Sequence, residues 1–260
     1  MSTLPQIDSR FAFPRRDQAT SDDPRTPGQS AMESALEINR LRQTFLSDIA
    51  ALPRPSRGYF FVKRAIDLTI AIILGIILLP IGLLIAIAIP LDDRGPIFFK
   101  QQRTGLGGRR FTMLKFRTMV TNAEELKAQL QHLSLVAYPD FKMDNDPRIT
   151  RVGRFLRATF LDELPQLINV IRGDMSLVGP RPERPCFVQK FSQELPAYMQ
   201  RHQVLPGITG WAQVNGWRGD TSLEKRLECD LHYVNHQSFA LNLWILLLTP
   251  LRVLVERNAC

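Results

Sequence analysis

The sequence predicts a mostly α fold with one small β-hairpin, an α+β chain held to a membrane from one side by a kinked, re-entrant helix and carrying a cytoplasm-facing domain. Three observations lead there. Ala65 to Leu91 is apolar with one charge, Asp67, near its start, and is long enough to cross a bilayer if straight. Two short aromatic runs, Gly95–Lys100 and Phe111–Thr118, are joined by Gly105, Gly107 and Gly108. Elsewhere the apolar residues recur at helical spacing.

The chain begins differently from how it continues. Residues 1–57 read as a flexible arm, polar and proline-rich at first, with an amphipathic helix from Met32 to Ala51 that Pro53 and Pro55 end. No early apolar core marks a signal peptide. Residues 58–91 form the membrane helix, and 92–260 the soluble-looking domain.

Charge decides the topology of the apolar run. Arg54, Arg57, Lys63 and Arg64 precede it and Arg94, Lys100, Arg103, Arg109 and Arg110 follow, so the positive-inside rule finds no preferred side and both ends read as cytoplasmic. Pro80 cannot donate its helical hydrogen bond, which predicts a kink that lets the helix enter and leave by one face. An ordinary bitopic span with a tolerated proline is the alternative.

Within the domain, Lys115 and Arg117 alternate with Leu114 and Phe116 and are expected on one strand face, facing either solvent or phosphate oxygens. Thr121–Leu135 predicts a helix with Glu124 and Glu125 in its first turn. Asp144-Asn145-Asp146-Pro147 predicts a turn whose Asp-x-Asp spacing is a weak metal signal. Arg148, Arg151, Arg154 and Arg157 then recur at helical spacing and concentrate positive charge beside the carboxylate pair Asp162-Glu163. Pro165 is tolerated only in the first turn of the next helix, which places Asp162 near its N-cap. Two readings stay open: a capping aspartate with arginine counter-ions, or an ionised, exposed oxygen beside bound phosphate. In Gly179-Pro180-Arg181-Pro182 the prolines preset the backbone around Arg181, reducing the entropy lost when its guanidinium engages an anion.

Composition narrows the partners. A net charge of +8 on 260 residues calls for an anionic partner, and 45% apolar residues suffice for a core. Cys186, Cys229 and Cys260 are odd in number and scattered, so neither a disulfide framework nor a zinc site is indicated. No nucleic-acid-binding motif accompanies the charge.

Taken in order, Lys115-Phe116-Arg117-Thr118-Met119, Leu161-Asp162-Glu163-Leu164-Pro165-Gln166, Gly173-Asp174-Met175-Ser176, Gly179-Pro180-Arg181-Pro182 and Pro206-Gly207-Ile208-Thr209-Gly210-Trp211 resemble the bacterial sugar transferases, the monotopic polyprenyl-phosphate phosphoglycosyl transferases. The resemblance runs from about Lys63 onward. It implies a re-entrant helix kinked at Pro80, a mostly helical cytoplasmic domain and Mg²⁺ as cofactor. It also implies transfer of a sugar 1-phosphate from a UDP-sugar to undecaprenyl phosphate, with release of UMP. Carried over, Asp162 is the nucleophile and metal contact, Glu163 its catalytic support, and Lys115, Arg117, Arg157, Arg181 and Pro182 the substrate contacts. Asn215–Asp220 and Glu224–Asp230 resemble the subgroup that starts exopolysaccharide or capsule with glucose or galactose 1-phosphate. The implied location is the cytoplasmic leaflet of a bacterial inner (plasma) membrane, with a homodimer as the oligomer to consider.

Two features depart from the family. Leu79 stands where many members have serine before the kink proline, and the arm is longer than in minimal members, while the extra N-terminal membrane helices of the largest are not expected. The tail Leu241–Val255, broken by Pro250 and Arg252, reads as interfacial or packed on the domain. Two rivals remain: a membrane-tethered scaffold binding anionic lipid, and a conventional glycosyltransferase holding metal with Asp144 and Asp146.

Overall fold

In a computed structural model, residues 55–130, 132, 143, 145–219 and 221–257 are described. The expected Met32–Ala51 helix, the end of the Thr121–Leu135 helix and Asp144 lie outside them.

The fold is mostly helical with two small sheets. Helix α1, Arg57–Asp92, begins at Ser56, whose side chain accepts from Tyr59 N. It runs past Pro80 and Pro90. Among the described residues it is the one helix long and apolar enough to cross a membrane. Only a thin stripe is buried, Asp67 and Ala71 in its first half and Ile85 and Ile89 in its second, whereas Ile76, Ile77, Leu84 and Leu91 are exposed.

Both ends of α1 are latched to the same domain. Near the start, Asp67 accepts from Ser176 Oγ at 2.7 Å and Leu177 N at 3.3 Å and pairs with Lys63 at 3.0 Å. Arg64 donates to the carbonyls of Val170 and Ile171. At the far end Asp92 accepts from Val152 N at 2.7 Å, and Arg117 binds both the side chain and the carbonyl of Asp93.

The predicted hairpin forms from β1, Phe98–Thr104, and β2, Arg110–Phe116, antiparallel and in a register that pairs Phe99 with Lys115. Gly107 and Gly108 turn it with φ of 62° and 78°. The strand ends at Phe116, so Lys115 and Arg117 do not share its face. Helix α2 is Ala123–Leu130 and α3 Arg151–Thr159, capped by Thr150, which accepts from Gly153 N at 2.9 Å. Helix α4 is Gln166–Arg172, stopped by Gly173 at φ 92°. Its Asn169 reaches back to Leu114 N and Thr112 O, tying it to β2.

A second, parallel pair escapes the sequence reading: β3, Ser176–Val178, beside β4, Gly207–Thr209. Helices α5 (Pro185–Glu194), α6 (Trp211–Val214), α7 (Leu223–Asn235) and α8 (Phe239–Arg257) complete the domain, with a 3₁₀ stretch Pro196–Gln203 between α5 and β4. The core joins Ala71 of α1 to Met113, Val170, Val178, Trp211, Tyr233 and Ile245. Helix α8 buries Ile245 in this core and exposes Leu243, Leu247 and Leu251, so the tail is packed on the domain, one of the two readings the sequence offered.

Candidate active site

The carboxylate pair is presented by a sharp change of helix. Helix α3 stops at Phe160, a non-glycine residue at φ 57°, and Leu161–Glu163 continue as one 3₁₀ turn before α4. Left-handed backbone at a bulky residue is uncommon and persists where the surroundings over-determine it. The N-cap position of α4 is Pro165, which supplies no side-chain bond. Asp162 therefore does not cap that helix, as the sequence had suggested. Three residues upstream, in its own 3₁₀ turn, its carboxylate faces the hairpin instead.

Lys115 of β2 meets both acids, its Nζ 3.3 Å from Asp162 Oδ2 and 3.0 Å from Glu163 Oε1. The two carboxylates thus converge on one ammonium, where a regular α-helix would have turned them apart. Glu163 is held further by Arg181, whose Nη1 lies 3.1 Å from Oε2 and whose Nη2 bonds Oε1. Arg218 Nη2 stands 4.0 Å from Oε1, its guanidinium 4.2 Å above the Phe160 ring. Burial alone would raise the Glu163 pKa, yet Arg181 and Lys115 hold it well below the usual range. Glu163 is an anchored anion. Asp162 is buried too, at 8% exposure, and so is not the exposed oxygen the sequence allowed; it is less engaged than Glu163, since among the described residues no hydrogen bond to its Oδ1 is formed.

Arg157 projects from the last turn of α3, its Nε donating to Thr118 Oγ1 at 2.9 Å, and desolvation lowers its pKa. Arg151, Arg154 and Arg157 are all exposed, yet of the predicted ladder only Arg148 and Arg157 line the site. Arg148 clasps Asp146 through Nε at 2.9 Å and Nη2 at 2.6 Å, which commits that carboxylate to an internal pair.

These groups line a cleft of about 920 Å³. Ten cations and five carboxylates border it, an imbalance suited to a polyanion. Of the residues singled out from sequence, Lys115, Arg157, Asp162, Glu163 and Arg181 come together there. Arg117 and Pro182 do not line it. Arg117 is spent on Asp93, and Pro182 serves through its backbone.

That backbone is gripped residue by residue. The carbonyl of Pro180 accepts from Gly207 N at 3.0 Å, that of Arg181 from Arg201 Nη2 at 2.8 Å, that of Pro182 from Arg103 Nη1 at 3.1 Å, and that of Glu183 from Thr104 N at 2.9 Å. Arg201 is itself buried against Asp230, Nε to Oδ2 at 2.9 Å. Such a frame fixes the direction of the Arg181 side chain before any ligand arrives. Sequence reasoning missed Arg201, Asp230 and Arg103, because lone residues far apart carry no spacing signal. Arg218 was detectable as a cation between two glycines, without an assigned role.

Among the described residues no group of three or more metal-ligating side chains occurs. The donor set still fits Mg²⁺, which takes one or two carboxylates and completes its octahedron with water and substrate phosphate oxygens. Asp162 is the carboxylate open for this, Glu163 being enclosed by cations.

Residues 58–256 match the family model described as bacterial sugar transferase. The chain is 44% identical over 207 residues to a UDP-glucose:undecaprenyl-phosphate glucose-1-phosphate transferase of Xanthomonas campestris pv. campestris, covering 78% of this chain and 41% of that protein. It is 40% identical over 226 residues to a UDP-N-acetylgalactosamine-undecaprenyl-phosphate N-acetylgalactosaminephosphotransferase of Aeromonas hydrophila, covering 86% and 50%. A UDP-glucose:undecaprenyl-phosphate glucose-1-phosphate transferase of Caulobacter vibrioides is 42% identical over 212 residues, 80% of this chain and 75% of that one. The chain thus spans half or less of the length of the first two.

Proposed function

The chain belongs to the bacterial sugar transferase family, and from that premise we propose that it transfers a hexose 1-phosphate, glucose or galactose, from a UDP-sugar to undecaprenyl phosphate, as the first membrane step of exopolysaccharide or capsule synthesis. One observation carries the reading: a carboxylate with one oxygen outside any hydrogen bond to the described residues, Asp162, lining a strongly basic cleft in a domain that also holds a helix whose outer face is apolar.

The reaction runs in two displacements at one phosphorus. An Asp162 oxygen attacks the β-phosphorus of the UDP-sugar, the bond from that phosphorus to the bridging oxygen breaks, and UMP leaves with the electron pair. The sugar phosphate is then an acyl phosphate on Asp162. A phosphate oxygen of the lipid attacks the same phosphorus, the bond to Asp162 breaks, and the carboxylate is restored. Lys115, Arg157 and Arg181 place positive charge where negative charge builds on the phosphoryl oxygens and leaving group. Glu163 keeps Lys115 and Arg181 oriented, which is a positioning role and not a second attack. Mg²⁺, held by Asp162 together with substrate oxygens, would supply further neutralisation of the diphosphate.

The membrane arrangement belongs to the same proposal. Helix α1 has 36 residues, about 54 Å at the helical rise, against a hydrocarbon core of about 30 Å. Its two ends are latched to one domain, Asp67 on Ser176 and Asp93 on Arg117, which supports a re-entrant element with both ends at the cytoplasmic leaflet of the inner membrane over a straight crossing. Pro80 lies between the latches and is the hinge of that re-entry.

Asp162→Asn tests the chemistry. Wild-type membranes given UDP-glucose and undecaprenyl phosphate should form lipid-linked sugar and release UMP, and the variant should do neither while remaining membrane-bound. Release of UDP, or normal turnover by the variant, would overturn the covalent reading.

A further inference from the structure

The cleft has two chemically different ends, and β1 runs between them. Phe99, Gln101 and Arg103 occupy alternate positions of the strand and all line the cleft, so their side chains share its cleft-facing side. At about 6.8 Å for every two residues the strand carries the lining roughly 14 Å from Phe99 to Arg103. Arg103 stands at the far end, bonded to Pro182 O and 3.6 Å from Glu183 Oε2, where Arg226 and Arg184, the latter 4.2 Å over the Phe187 ring, make the wall strongly basic. Phe99 stands at the near end, six residues beyond Asp93 and the close of α1.

Phe99 differs from the other rings of the cleft, Phe116, Phe160, Phe187, Phe191 and Trp217, in being exposed, at 42%. Gln101, Lys115 and Lys127 line the cleft with it. It pairs across the hairpin with Lys115, the residue whose ammonium touches Asp162, and directly opposed side chains have Cβ atoms about 5 Å apart. On the other face of the same strand pair, Phe98 stacks on Phe116 at 5.6 Å between centroids, and Phe116 packs with Ile85 and Ile89 of α1. Apolar packing therefore runs from α1 through the buried Phe116 to Phe98, which is exposed next to Phe99 at the lip of the cleft. Met119, half-buried, adds to the same lip.

A phenyl ring serves a stacked nucleobase as well as an isoprene; what favours the isoprenyl phosphate is the place of this ring, beside the exposed Phe98 and six residues beyond Asp93, the C-cap of the apolar helix α1. Resting on the transfer reaction proposed above, we propose that Phe99 marks the entrance for the acceptor lipid. Its ring contacts the first isoprene units while the lipid phosphate reaches Lys115 and Asp162, and the nucleoside of the donor occupies the opposite, Arg103 end. The two substrates enter one cleft from opposite ends, and the phosphorus passes between them at Asp162.

The two halves of the reaction separate this assignment from the reading beneath it. Full-length protein in lipid nanodiscs is given UDP-glucose and isotopically labelled UMP without acceptor, and label exchange into UDP-glucose reports the first displacement. Transfer to undecaprenyl phosphate reports the whole. For Phe99→Ser, which adds no charge beside Lys115, we expect exchange at the wild-type rate but a kcat/KM for undecaprenyl phosphate lowered at least about tenfold, the scale of a lost apolar contact in a binding pocket, with Phe99→Leu restoring most of it. Unchanged transfer by Phe99→Ser overturns the entrance assignment. So does an equal loss of exchange and transfer in both variants, which would make Phe99 part of the fold or of the donor site. A wild-type chain that transfers glucose 1-phosphate yet shows no exchange overturns the covalent reaction itself.

Discussion

Arg181 holds Glu163 by both terminal nitrogens, Nη1 3.1 Å from Oε2 and Nη2 on Oε1, from a backbone whose own carbonyl is fixed by Arg201 at 2.8 Å. The fork is aimed and restrained before substrate arrives. A lysine at that position keeps the charge but not the two-pronged geometry. Arg181→Lys should lower kcat/KM for transfer by about 10²–10³-fold, the cost of losing one preorganised transition-state donor, with the fold intact by circular dichroism. Near-normal turnover would remove Arg181 from the phosphate-binding set.

The same pair predicts a pH dependence of stability. The folded-state pKa of Glu163 lies below the ordinary value of 4.5, so the stabilisation is fully present above that value and is lost as pH falls toward the folded-state value. Glu163→Gln should therefore unfold at a lower temperature than wild type at neutral pH, and the gap should narrow as the solution is acidified below the ordinary glutamate range. A gap that stays constant on acidification would show that the carboxylate's charge is not what matters.

Asp230 and Arg201 form a buried ion pair beneath the Arg181 turn, with 3% and 2% of their side chains exposed. Asp230→Ala leaves the guanidinium buried without its counter-charge, which should cost about 3–5 kcal/mol of stability. Chemical denaturation of the detergent-solubilised protein measures this. A loss under about 1 kcal/mol would mean that water or Tyr198, 3.0 Å away, replaces the carboxylate.

Strands β3 and β4 approach so closely that a Cβ added at Gly207 would stand 2.1 Å from Gly179 N. Neither backbone can yield without moving Pro180 and Arg181. Gly207→Ala should destabilise the protein by about 1–3 kcal/mol or more, as overpacking does, and should depress transfer beyond what the loss of folded protein explains. Wild-type activity per folded molecule would show that the turn tolerates the shift.

The re-entrant arrangement requires both ends of α1 on one side. With native cysteines replaced, single cysteines at Ser56 and Arg94 should react with an impermeant maleimide only in inside-out vesicles. Labelling of one of them from the periplasmic side would establish a straight crossing.

Much of this site was legible in the chain. The Asp162-Glu163 pair, Arg157, the proline-bracketed Arg181 and the strand lysine Lys115 are local signals, each visible because its neighbours in sequence restrict it. Arg117 misled for the same reason. Alternation put it beside Lys115, but the strand ends at Phe116 and the guanidinium goes to Asp93. The parallel pairing of β3 with β4 was invisible because three-residue strands, 31 positions apart at Ser176 and Gly207, have no periodicity of their own.

By itself the sequence determined the element types, the apolar helix with basic flanks, and the residue kinds gathered for phosphate chemistry, because hydropathy, spacing and proline act over a few neighbouring residues. Only the tertiary structure decided which arginines of the 148–157 ladder face the cleft and that one lysine joins both carboxylates. It also latched both ends of α1 to one domain and clamped the Arg181 turn at four successive carbonyls. These are contacts between distant segments, and burial and hydrogen-bond geometry select among the pairings that a one-dimensional pattern leaves equal.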